Sequence, residues 1–542
     1  MSNRICNGTI VMISLIINDQ QVSVENGSTI LDAAKKSGIE IPTLCCYNGF
    51  KPDTSCMICV VHELKTDSLI PACSMPAEAD MHIETDNEKV RESRKDTLDL
   101  LLSEHVGDCE AICHRACPAN MNIPLMIRQI KENDLENAII TVKNDIALPA
   151  VLGRICSAPC EKGCKRKFYD DPVSICFLKK FVADTDLARE SQYLPYIKPD
   201  SGKKVAIIGA GPTGLSAAYY LIQAGHKCCI YDRNRKPGGM LRYGVSEDIL
   251  PRSVLDAEIE HILGLGVEFK QEQVLGKDIS LNRLRDEYDA VVIAIGTIDP
   301  VLFENTEIRL SPRGILVNRK TYETSVPGVF SGGNTISKGK SAIRSSAHGK
   351  FIAGSVDQFL TDRTVTGCPG RFNSTLGKFL DGEAEEFIKE AETINRIEPV
   401  EGTEKGFSVT DAEKESGRCF HCDCRKLETC RLRQYADEYG ADQGRFRIGQ
   451  RKNFQKIVQH DLINFEPGKC IKCSICIEIA KKAGEKLGLT FINRGFDVQL
   501  AVPFNESLDN GLQKAAAECV EACPTAALAW RTDKERTCFG KV

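Results

Sequence analysis

The grouping of the cysteines is the feature that most constrains this chain. The chain has 542 residues and 26 cysteines, and most of the cysteines recur at short, regular spacings. Thiolates spaced in this way hold iron–sulfur clusters, which carry electrons. The sequence therefore predicts an electron-transfer protein, and several clusters in one chain suggest an anaerobic or low-potential setting.

Disulfide bonds are the alternative use of so many cysteines, but they are typical of short secreted chains. An apolar run at 10–17 follows Arg4 and weakly imitates a signal peptide. No small-residue cleavage site follows this run, and it is too short to span a bilayer. We interpret it as a buried strand, and we expect reduced thiols, a cytoplasmic location and no direct membrane insertion.

Charge and length exclude one class of function and indicate several domains. Lys plus Arg number 70 and Asp plus Glu number 75, so no nucleic-acid surface is indicated. The length predicts several domains of about 100–200 residues each. We predict a multidomain α/β and α+β protein. Its domain boundaries are expected at 1–88, 89–198, 199–362, 363–460 and 461–542.

Residues 12–36 read as strand, turn, strand and helix, which indicates a ubiquitin-like sheet crossed by one helix. The loop that follows carries a C-x10-C-x2-C-x13-C pattern that suits a plant-type [2Fe–2S] cluster: Cys45, Cys56, Cys59 and Cys73. Zinc is the alternative, although zinc sites usually pair two short knuckles. This block resembles the amino-terminal domain of the large iron–sulfur subunit of complex I and its relatives in hydrogenases and formate dehydrogenases.

A segment with helical periodicity carries two further groups of three cysteines at four-residue steps. They are Cys109, Cys113 and Cys117, then Cys156, Cys160 and Cys164. The elements CPANMNIP and GRIC lie beside them. Residues 100–190 resemble the amino-terminal domain of the glutamate synthase small subunit and of dihydropyrimidine dehydrogenase, which implies a helical domain with two [4Fe–4S] clusters.

This resemblance requires eight ligands where the two groups supply six. The first cysteine of the family's first group is absent here. His105 lies four residues before Cys109, and the complex I subunit also has a histidine four residues before a ligand cysteine. His105 is therefore a candidate ligand, and His114 is the rival candidate. Leu152 replaces another family cysteine, and Cys176 lies near the family's non-cysteine ligand. We assign one cluster to His105, Cys109, Cys113 and Cys164, and the other to Cys117, Cys156, Cys160 and Cys176.

Residues 203–234 read as a strand, a glycine turn, a helix and a second strand. Gly209, Gly211 and Gly214 form G-x-G-x-x-G, which brings a pyrophosphate to the helix amino terminus. Asp232 ends the second strand, where an acid binds the ribose hydroxyls. With the strand, helix and acid in register, this pattern indicates a Rossmann-like dinucleotide site.

The surrounding elements RKPGGMLRYGV, YDAVVIAIGT and TSVPGVFSGGNT resemble the FAD-binding elements of the glutamate synthase small subunit, in family order. Asn334 stands where that family has an aspartate at the ribityl chain. The resemblance implies FAD contacts at Gly209, Gly211, Pro212, Thr213, Gly214, Asp232, Arg233, Gly239, Met240, Leu241, Ala294, Gly296, Gly333 and Asn334.

One family element is missing from this dinucleotide domain. In the family, a complete NADPH-binding domain separates the AIGT strand from TSVPGVF, whereas here only 298–324 lies between them. About 27 residues cannot form a second βαβ unit, which needs ~30. We therefore expect a flavin without a nicotinamide site in this chain.

Residues 363–410 read as a polar connector with one acidic helix, EAEEFIKEAETI. A C-x2-C-x-C-x5-C motif follows, formed by Cys419, Cys422, Cys424 and Cys430. Four cysteines in so short a segment are expected to share one centre, either a [4Fe–4S] cluster or structural zinc.

The last segment resembles a bacterial two-cluster ferredoxin with one cluster left. Its single [4Fe–4S] cluster is expected on Cys470, Cys473, Cys476 and Cys523. The second cluster cannot form, because Ala480, Gln513 and Ala516 stand where cysteines are needed, which leaves Cys519 spare. The stretch FINRGFDVQLAVPF also resembles formate dehydrogenase and hydrogenase subunits.

No substrate-converting site is indicated, so we name no catalytic residue and leave open whether the chain is itself an enzyme. The resemblances imply an electron-transfer subunit with FAD, one [2Fe–2S] and about four [4Fe–4S] clusters. Its implied partners are an FMN-containing NADH diaphorase, a formate dehydrogenase or hydrogenase subunit, and ferredoxin; some such complexes bifurcate electrons. The alternatives are a free-standing NAD(P)H-linked reductase and a cluster scaffold with a relic flavin fold.

Overall fold

The computed structural model describes residues 11–47, 49–400, 402–449 and 451–531. Arg4 and the first residue of the apolar run at 10–17 lie outside the described residues, as do Cys6 and Cys538.

The amino-terminal segment forms a five-stranded sheet crossed by one helix. The strands are β1 (Met12–Ile17), β2 (Gln20–Glu25), β3 (Val60–Glu63), β4 (Ser68–Pro71) and β5 (His82–Glu84), in the order β2-β1-β5-β3-β4. Helix α1 (Ile30–Lys36) begins at a capping box of Thr29 and Asp32, which satisfies backbone N–H groups of its first turn. The predicted order of elements is confirmed, and helix α2 (Glu88–Ser103) follows.

The next segment is helical, as its periodicity predicts. Its helices are α3 (Ile112–Ala116), α4 (Ile123–Lys131), α5 (Leu135–Lys143), α6 (Pro149–Ile155), α7 (Pro159–Gly163) and α8 (Ile175–Leu187). Helices α3, α6 and α7 each end at a cysteine with extended backbone: Cys117, Cys156 and Cys164. The ends of short helices therefore present these thiols.

A parallel sheet of Rossmann type follows. Its strands are β6 (Lys204–Ile208), β7 (Lys227–Tyr231), β8 (Glu268–Lys270), β9 (Ala290–Ile293) and, after a small hairpin of β10 (Leu310–Ser311) and β11 (Gly314–Ile315), β12 (Val329–Ser331); the sheet order is β12-β9-β6-β7-β8. The helices are α9 (Pro212–Gln223), α10 (Met240–Tyr243), α11 (Arg252–Gly264), α12 (Leu281–Glu287) and α13 (Ala342–Leu360).

The segment 298–324 contains only a short 3-10 turn and the β10–β11 hairpin. Phe303, Ile308 and Ile315 from this segment are buried in the core beside the Rossmann sheet. Among the described residues there is thus one dinucleotide fold, and the short segment packs onto it instead of forming a second.

The remaining elements are short. They are α14 (Glu383–Ile388), α15 (Val409–Gly417), α16 (Arg431–Glu438), β13 (Ile463–Phe465), α17 (Ile475–Lys482), β14 (Thr490–Ile492), β15 (Gln499–Ala501), α18 (Leu508–Gly511), α19 (Ala516–Ala522) and β16 (Leu528–Trp530). Strand β13 pairs with β16 and β14 with β15, both antiparallel.

The predicted acidic helix is shorter than the sequence pattern suggested. It ends at Ile388, and Glu390 is buried, where its carboxylate pairs with Lys456 at 2.7 Å and accepts a hydrogen bond from Asn464 at 2.6 Å. The free energy of satisfying this buried carboxylate outweighs the local helical preference.

The described chain divides into two compact units, each built from segments far apart in the sequence. Among the described residues, the first unit comprises 11–110, 371–390 and 422–531, and the second comprises 111–370 and 391–421. The division between Glu110 and Ala111 falls inside the domain predicted at 89–198, and the predicted connector contributes to both units. No helix among the described residues has the length and apolar character needed to cross a bilayer.

Helix α6, which leads to Cys156, is held at its amino terminus by a buried carboxylate. Glu258 accepts hydrogen bonds from the backbone N–H groups of Ala150 and Val151, both at 2.8 Å. Burial raises the pKa of Glu258 to about 7, so the carboxylate is charged above that pH.

Replacing Glu258 by alanine is expected to destabilise the second unit by about 1–3 kcal/mol at pH 8, because two buried donors lose a charged acceptor. Thermal unfolding followed by circular dichroism measures the change. Glu260→Ala, an exposed position on the same helix, is the matched control, and equal melting temperatures for the two variants would contradict this role.

Candidate functional site

Four thiols of the amino-terminal segment meet beside the small sheet. We call Cys45, Cys56, Cys59 and Cys73 the first thiol group; all four are buried. Cys45 hydrogen-bonds with Cys56 and Cys73, and Cys59 with Cys73. These hydrogen bonds lower the pKa of Cys45 and raise those of Cys56 and Cys73. The structure brings the predicted set together, with a donor set that fits a [2Fe–2S] cluster.

Cys46 adjoins the first thiol group without joining its hydrogen bonds. It is half-buried, and burial raises its pKa. This placement is consistent with its interpretation as a spare cysteine.

The second unit also brings four predicted thiols together. We call Cys117, Cys156, Cys160 and Cys176 the second thiol group. Cys176 hydrogen-bonds with Cys156 and Cys160, and Cys117 and Cys156 interact electrostatically. The ammonium of Lys179 is buried and acts on all four thiols. Four convergent thiols beside a buried cation fit an anionic [4Fe–4S] cluster.

Cys109 interacts with Cys424 and Cys430, two cysteines of the C-x2-C-x-C-x5-C motif. The backbone N–H of Cys424 donates to the carbonyl of Cys109 at 2.9 Å. The charges of Cys109 and Cys424 both act on Cys430, and burial raises the pKa of Cys424 to about 11 and of Cys430 to about 12. The hydroxyl of Ser374 forms a hydrogen bond with the sulfur of Cys109 at 3.2 Å.

His105 is a buried neighbour of this set. Its Nδ1 atom is buried without a hydrogen-bond partner, and burial, followed by Lys469 and Arg447, lowers its pKa to about 3. Lys469 also acts on Cys109 and Cys424. A neutral imidazole with a free ring nitrogen suits metal ligation. We call His105, Cys109, Cys424 and Cys430 the third group.

The contact between Cys109 and Cys424 joins residues of two different sequence-based sets. The sequence-based sets placed Cys109 with Cys113 and Cys164, and Cys424 with Cys419. In the structure, Cys113, Cys164 and Cys419 pack against the core of the second unit. Cys109 and Cys424 belong to the first unit, as does Cys422.

The ferredoxin-like segment brings its four predicted thiols to one pocket. We call Cys470, Cys473, Cys476 and Cys523 the fourth thiol group; they line a cavity with apolar walls that include Phe465. Their charges act on one another. The place of the lost second cluster is filled by protein, because Ala480, Ala516 and Cys519 are packed in the core.

Cys519 is buried, and its thiol donates to the carbonyl of Cys476 at 3.6 Å. If it is spare, Cys519→Ala is expected to leave the iron content of the purified chain unchanged. Cys476→Ala is expected to remove about four iron atoms, since it takes a ligand from a [4Fe–4S] site. Anaerobic iron analysis compares the two variants, and a similar loss of iron in both would assign Cys519 to the cluster.

The three groups of the first unit adjoin one another. The charge of Cys45, from the first thiol group, acts on Cys473. The charge of Cys523 acts on Cys430, from the third group. Cys45, Cys430 and Cys473 also border one apolar core. The first, third and fourth groups therefore lie close together within this unit.

Around these groups, no three His, Cys, Asp or Glu side chains among the described residues converge as they would on a single metal ion. Cluster ligands are distributed over two or four irons.

The glycine turn of the Rossmann sheet has the geometry of a dinucleotide site. A Cβ at Gly209, where φ is +109°, would lie 2.4 Å from the carbonyl oxygen of Ala294, and one at Gly214 would lie 1.9 Å from that of Gly209. These two positions need glycine for the protein's own packing. A Cβ at Gly211 would meet no protein atom within 4 Å. The open side of the turn is thus at Gly211, where a pyrophosphate would approach.

Asp232 braces this turn from the end of β7. Its carboxylate accepts hydrogen bonds from the backbone N–H of Ala210 at 2.7 Å and of Asn234 at 2.8 Å. The acid is thus fixed next to the glycine turn, in the place predicted for it, with Arg233 following it in the chain.

The other predicted flavin contacts are held by residues that the sequence did not single out. Thr335 Oγ1 accepts from the backbone N–H of Gly296 at 3.1 Å, and His348 Nδ1 accepts from that of Gly333 at 2.9 Å. Asn334 donates to the carbonyl of Gly339 at 2.8 Å. No spacing rule links these partners, although His348 lies on α13, the helix that follows the GGNT motif.

The remaining predicted positions lie at the starts of α9 and α10. Pro212 and Thr213 are the first two residues of helix α9. Gly239 lies close to Gly211, because a Cβ added at Gly239 would be 2.8 Å from the Cα of Gly211. Met240 is exposed and Leu241 is buried in the core of the second unit. The predicted set thus surrounds one turn, and its open side fits a dinucleotide.

The folds and sites together define a multidomain iron–sulfur protein with a Rossmann-like oxidoreductase domain. Three family models match: "2Fe-2S iron-sulfur cluster binding domain" at 11–88, "dihydropyrimidine dehydrogenase domain II, 4Fe-4S cluster" at 100–191 and "pyridine nucleotide-disulphide oxidoreductase" at 174–349. They confirm the predicted fold class and the predicted resemblances for these segments.

Among curated proteins, the chain is similar to several redox subunits. It is 39% identical over 188 residues to the NADPH-Fe(3+) oxidoreductase subunit beta of Geobacter sulfurreducens, covering 34% of this chain and 28% of that one. It is 39% identical over 207 residues to the NADP(+)-dependent formate dehydrogenase subunit beta of Moorella thermoacetica, covering 34% and 29%.

A third relative is the PreT subunit of the NAD-dependent dihydropyrimidine dehydrogenase of Salmonella typhimurium, 39% identical over 190 residues, with 34% and 46% covered. The chain thus spans less than half the length of these three relatives.

Proposed function

We propose that this chain is an electron-transfer subunit of a larger oxidoreductase and relays electrons between partner proteins. One observation carries the proposal: the first unit brings the first, third and fourth groups close together, and the second unit holds the second thiol group and the one dinucleotide fold of the described residues. When bound, iron–sulfur clusters supply one-electron transfer, and a flavin couples it to two-electron chemistry.

We propose ligand sets that follow the contacts. The first thiol group would hold a [2Fe–2S] cluster, and the second and fourth would each hold a [4Fe–4S] cluster. The third group would hold another through His105, Cys109, Cys424 and Cys430, and its ligands would come from two distant segments of the first unit. With one [2Fe–2S] and three [4Fe–4S] clusters on these sets, a loaded chain carries about 14 iron atoms.

The glycine turn would bind FAD, with Gly211 facing the pyrophosphate and Asp232 fixing the turn. The described residues contain one dinucleotide fold, so the chain would receive electrons from a partner instead of from a nicotinamide of its own. The name of one relative, a formate dehydrogenase subunit, supports a formate dehydrogenase subunit as a partner. From the sequence resemblances we extend the proposal to a hydrogenase subunit, an FMN-containing NADH diaphorase and ferredoxin in the cytoplasm, and to electron bifurcation by such a complex.

Two measurements on the anaerobically purified chain test this composition. Acid extraction is expected to release about one FAD per chain, and iron analysis is expected to find about 14 atoms. Iron without flavin would instead identify a cluster scaffold with a relic dinucleotide fold.

A free-standing NAD(P)H-linked reductase is the second candidate. The match of 174–349 to the pyridine nucleotide-disulphide oxidoreductase model favours it. The hairpin at β10–β11, which occupies the place of a second dinucleotide fold, disfavours it.

A further inference from the structure

Lys179 differs from the other charged groups beside the clusters in having no carboxylate partner. It lies on α8, three residues after Cys176, so both side chains are on one face of the helix. Lys179 is 4% exposed, and its ammonium donates one hydrogen bond, to the carbonyl of Leu152 at 3.1 Å. Among the described residues it forms no ion pair, and the charges that favour its ammonium are those of the four thiols.

An ammonium in this position requires negative charge around it. Burying an unpaired charge costs several kcal/mol, which a nearby opposite charge offsets. Here only the second thiol group is available, so the site is built for four thiolates, as a bound cluster provides. Each added electron makes such a cluster more negative, and the fixed positive charge stabilises the reduced form more than the oxidised form.

The third group offers an internal comparison. Its buried ammonium, Lys469, pairs with Glu466 at 2.8 Å, so a carboxylate offsets most of its charge. Lys472, near the fourth thiol group, is partly exposed and screened by solvent. The second thiol group is therefore the one with a buried and uncompensated cation.

We propose that Lys179 raises the reduction potential of the cluster on the second thiol group. This inference rests on the proposed function only in requiring a cluster at that site. Helix α13 packs against the core that contains Cys117 and Cys160 and, further along, against α9 at the glycine turn. The cluster whose potential Lys179 raises thus adjoins the flavin domain.

The test is an anaerobic redox titration of the full, cluster-loaded chain, followed by electron paramagnetic resonance. The signal of the second thiol group is identified as the one lost in Cys176→Ala. The potential at which this signal appears in the unaltered chain is the reference value. In Lys179→Gln the signal is expected to move to a lower potential, and in Lys179→Arg, which keeps the charge, to stay near its original value.

Controls separate charge from packing and from the wider proposal. Lys180→Gln removes a charge from the adjacent residue, whose ammonium donates to the carbonyl of Thr403 at 2.8 Å, and is expected to leave the potential unchanged. If Lys179→Gln loses this cluster, recovery of the signal in Lys179→Arg still supports the role of the charge. An unshifted signal in Lys179→Gln, or an arginine variant that behaves like the glutamine variant, overturns it. Absence of this signal from the unaltered chain would instead count against the proposed cluster set.

Discussion

Replacing Cys424 by alanine is expected to abolish the same cluster that is lost when Cys109 is replaced. The backbone contact between the two residues and the mutual charge effects of Cys109, Cys424 and Cys430 place them in one group. Loss of a thiolate ligand removes or converts a [4Fe–4S] cluster, so each variant should lose about four iron atoms. Electron paramagnetic resonance of the reduced variants should show the same missing signal.

His105 provides a finer test of this group. If its free Nδ1 is the fourth ligand, His105→Cys should keep a cluster whose signal and potential are altered, because thiolate replaces neutral imidazole. His114→Ala, at the rival histidine, should leave the signal unchanged. If Cys424→Ala instead removes a signal that survives in Cys109→Ala, the two cysteines serve different clusters and the sequence-based sets are restored.

Gly211→Val is expected to reduce FAD content from about one per chain to nearly none while leaving the iron content intact. A side chain at this position meets no protein atom within 4 Å of its Cβ, and its backbone φ is −81°, which valine adopts readily. The fold therefore tolerates the change, whereas the added methyl groups occupy the space through which the pyrophosphate reaches the helix amino terminus. Flavin released by acid is measured against protein and iron.

Gly264→Val is the matched control, since a Cβ there also meets no protein atom, and it lies at the exposed end of α11. It should retain its flavin. Full flavin occupancy in Gly211→Val would contradict the assignment of the glycine turn to FAD.

Much of the fold follows from local sequence signals. The capping box at Thr29, the alternation of β1 and β2, and the glycine turn before α9 are each readable within a few residues. The short length of 298–324 predicts a single dinucleotide fold, and the described residues contain one. These features depend on nearby residues, whose spacing the sequence displays directly.

The pairing of distant thiols could not be predicted in the same way. Spacing identifies ligands within one segment, and it therefore grouped Cys424 with Cys419 and Cys109 with Cys113. In the structure, most of the second unit is formed by residues 111–370. Cys109 and Cys424 are therefore separated along the chain by residues that belong to another unit. The buried position of Lys179 opposite four thiols, and the support of Gly296 by Thr335, likewise depend on tertiary packing.

The central claim, that this chain relays electrons without a nicotinamide site of its own, is tested most directly by one anaerobic titration of the cluster- and flavin-loaded chain. Excess NADPH or NADH is expected to leave the flavin absorbance unchanged, while dithionite bleaches the flavin and clusters of the same sample. Bleaching by either nicotinamide at about 1 s⁻¹ or faster, the range of enzymatic turnover, would contradict the claim and identify the chain as a reductase.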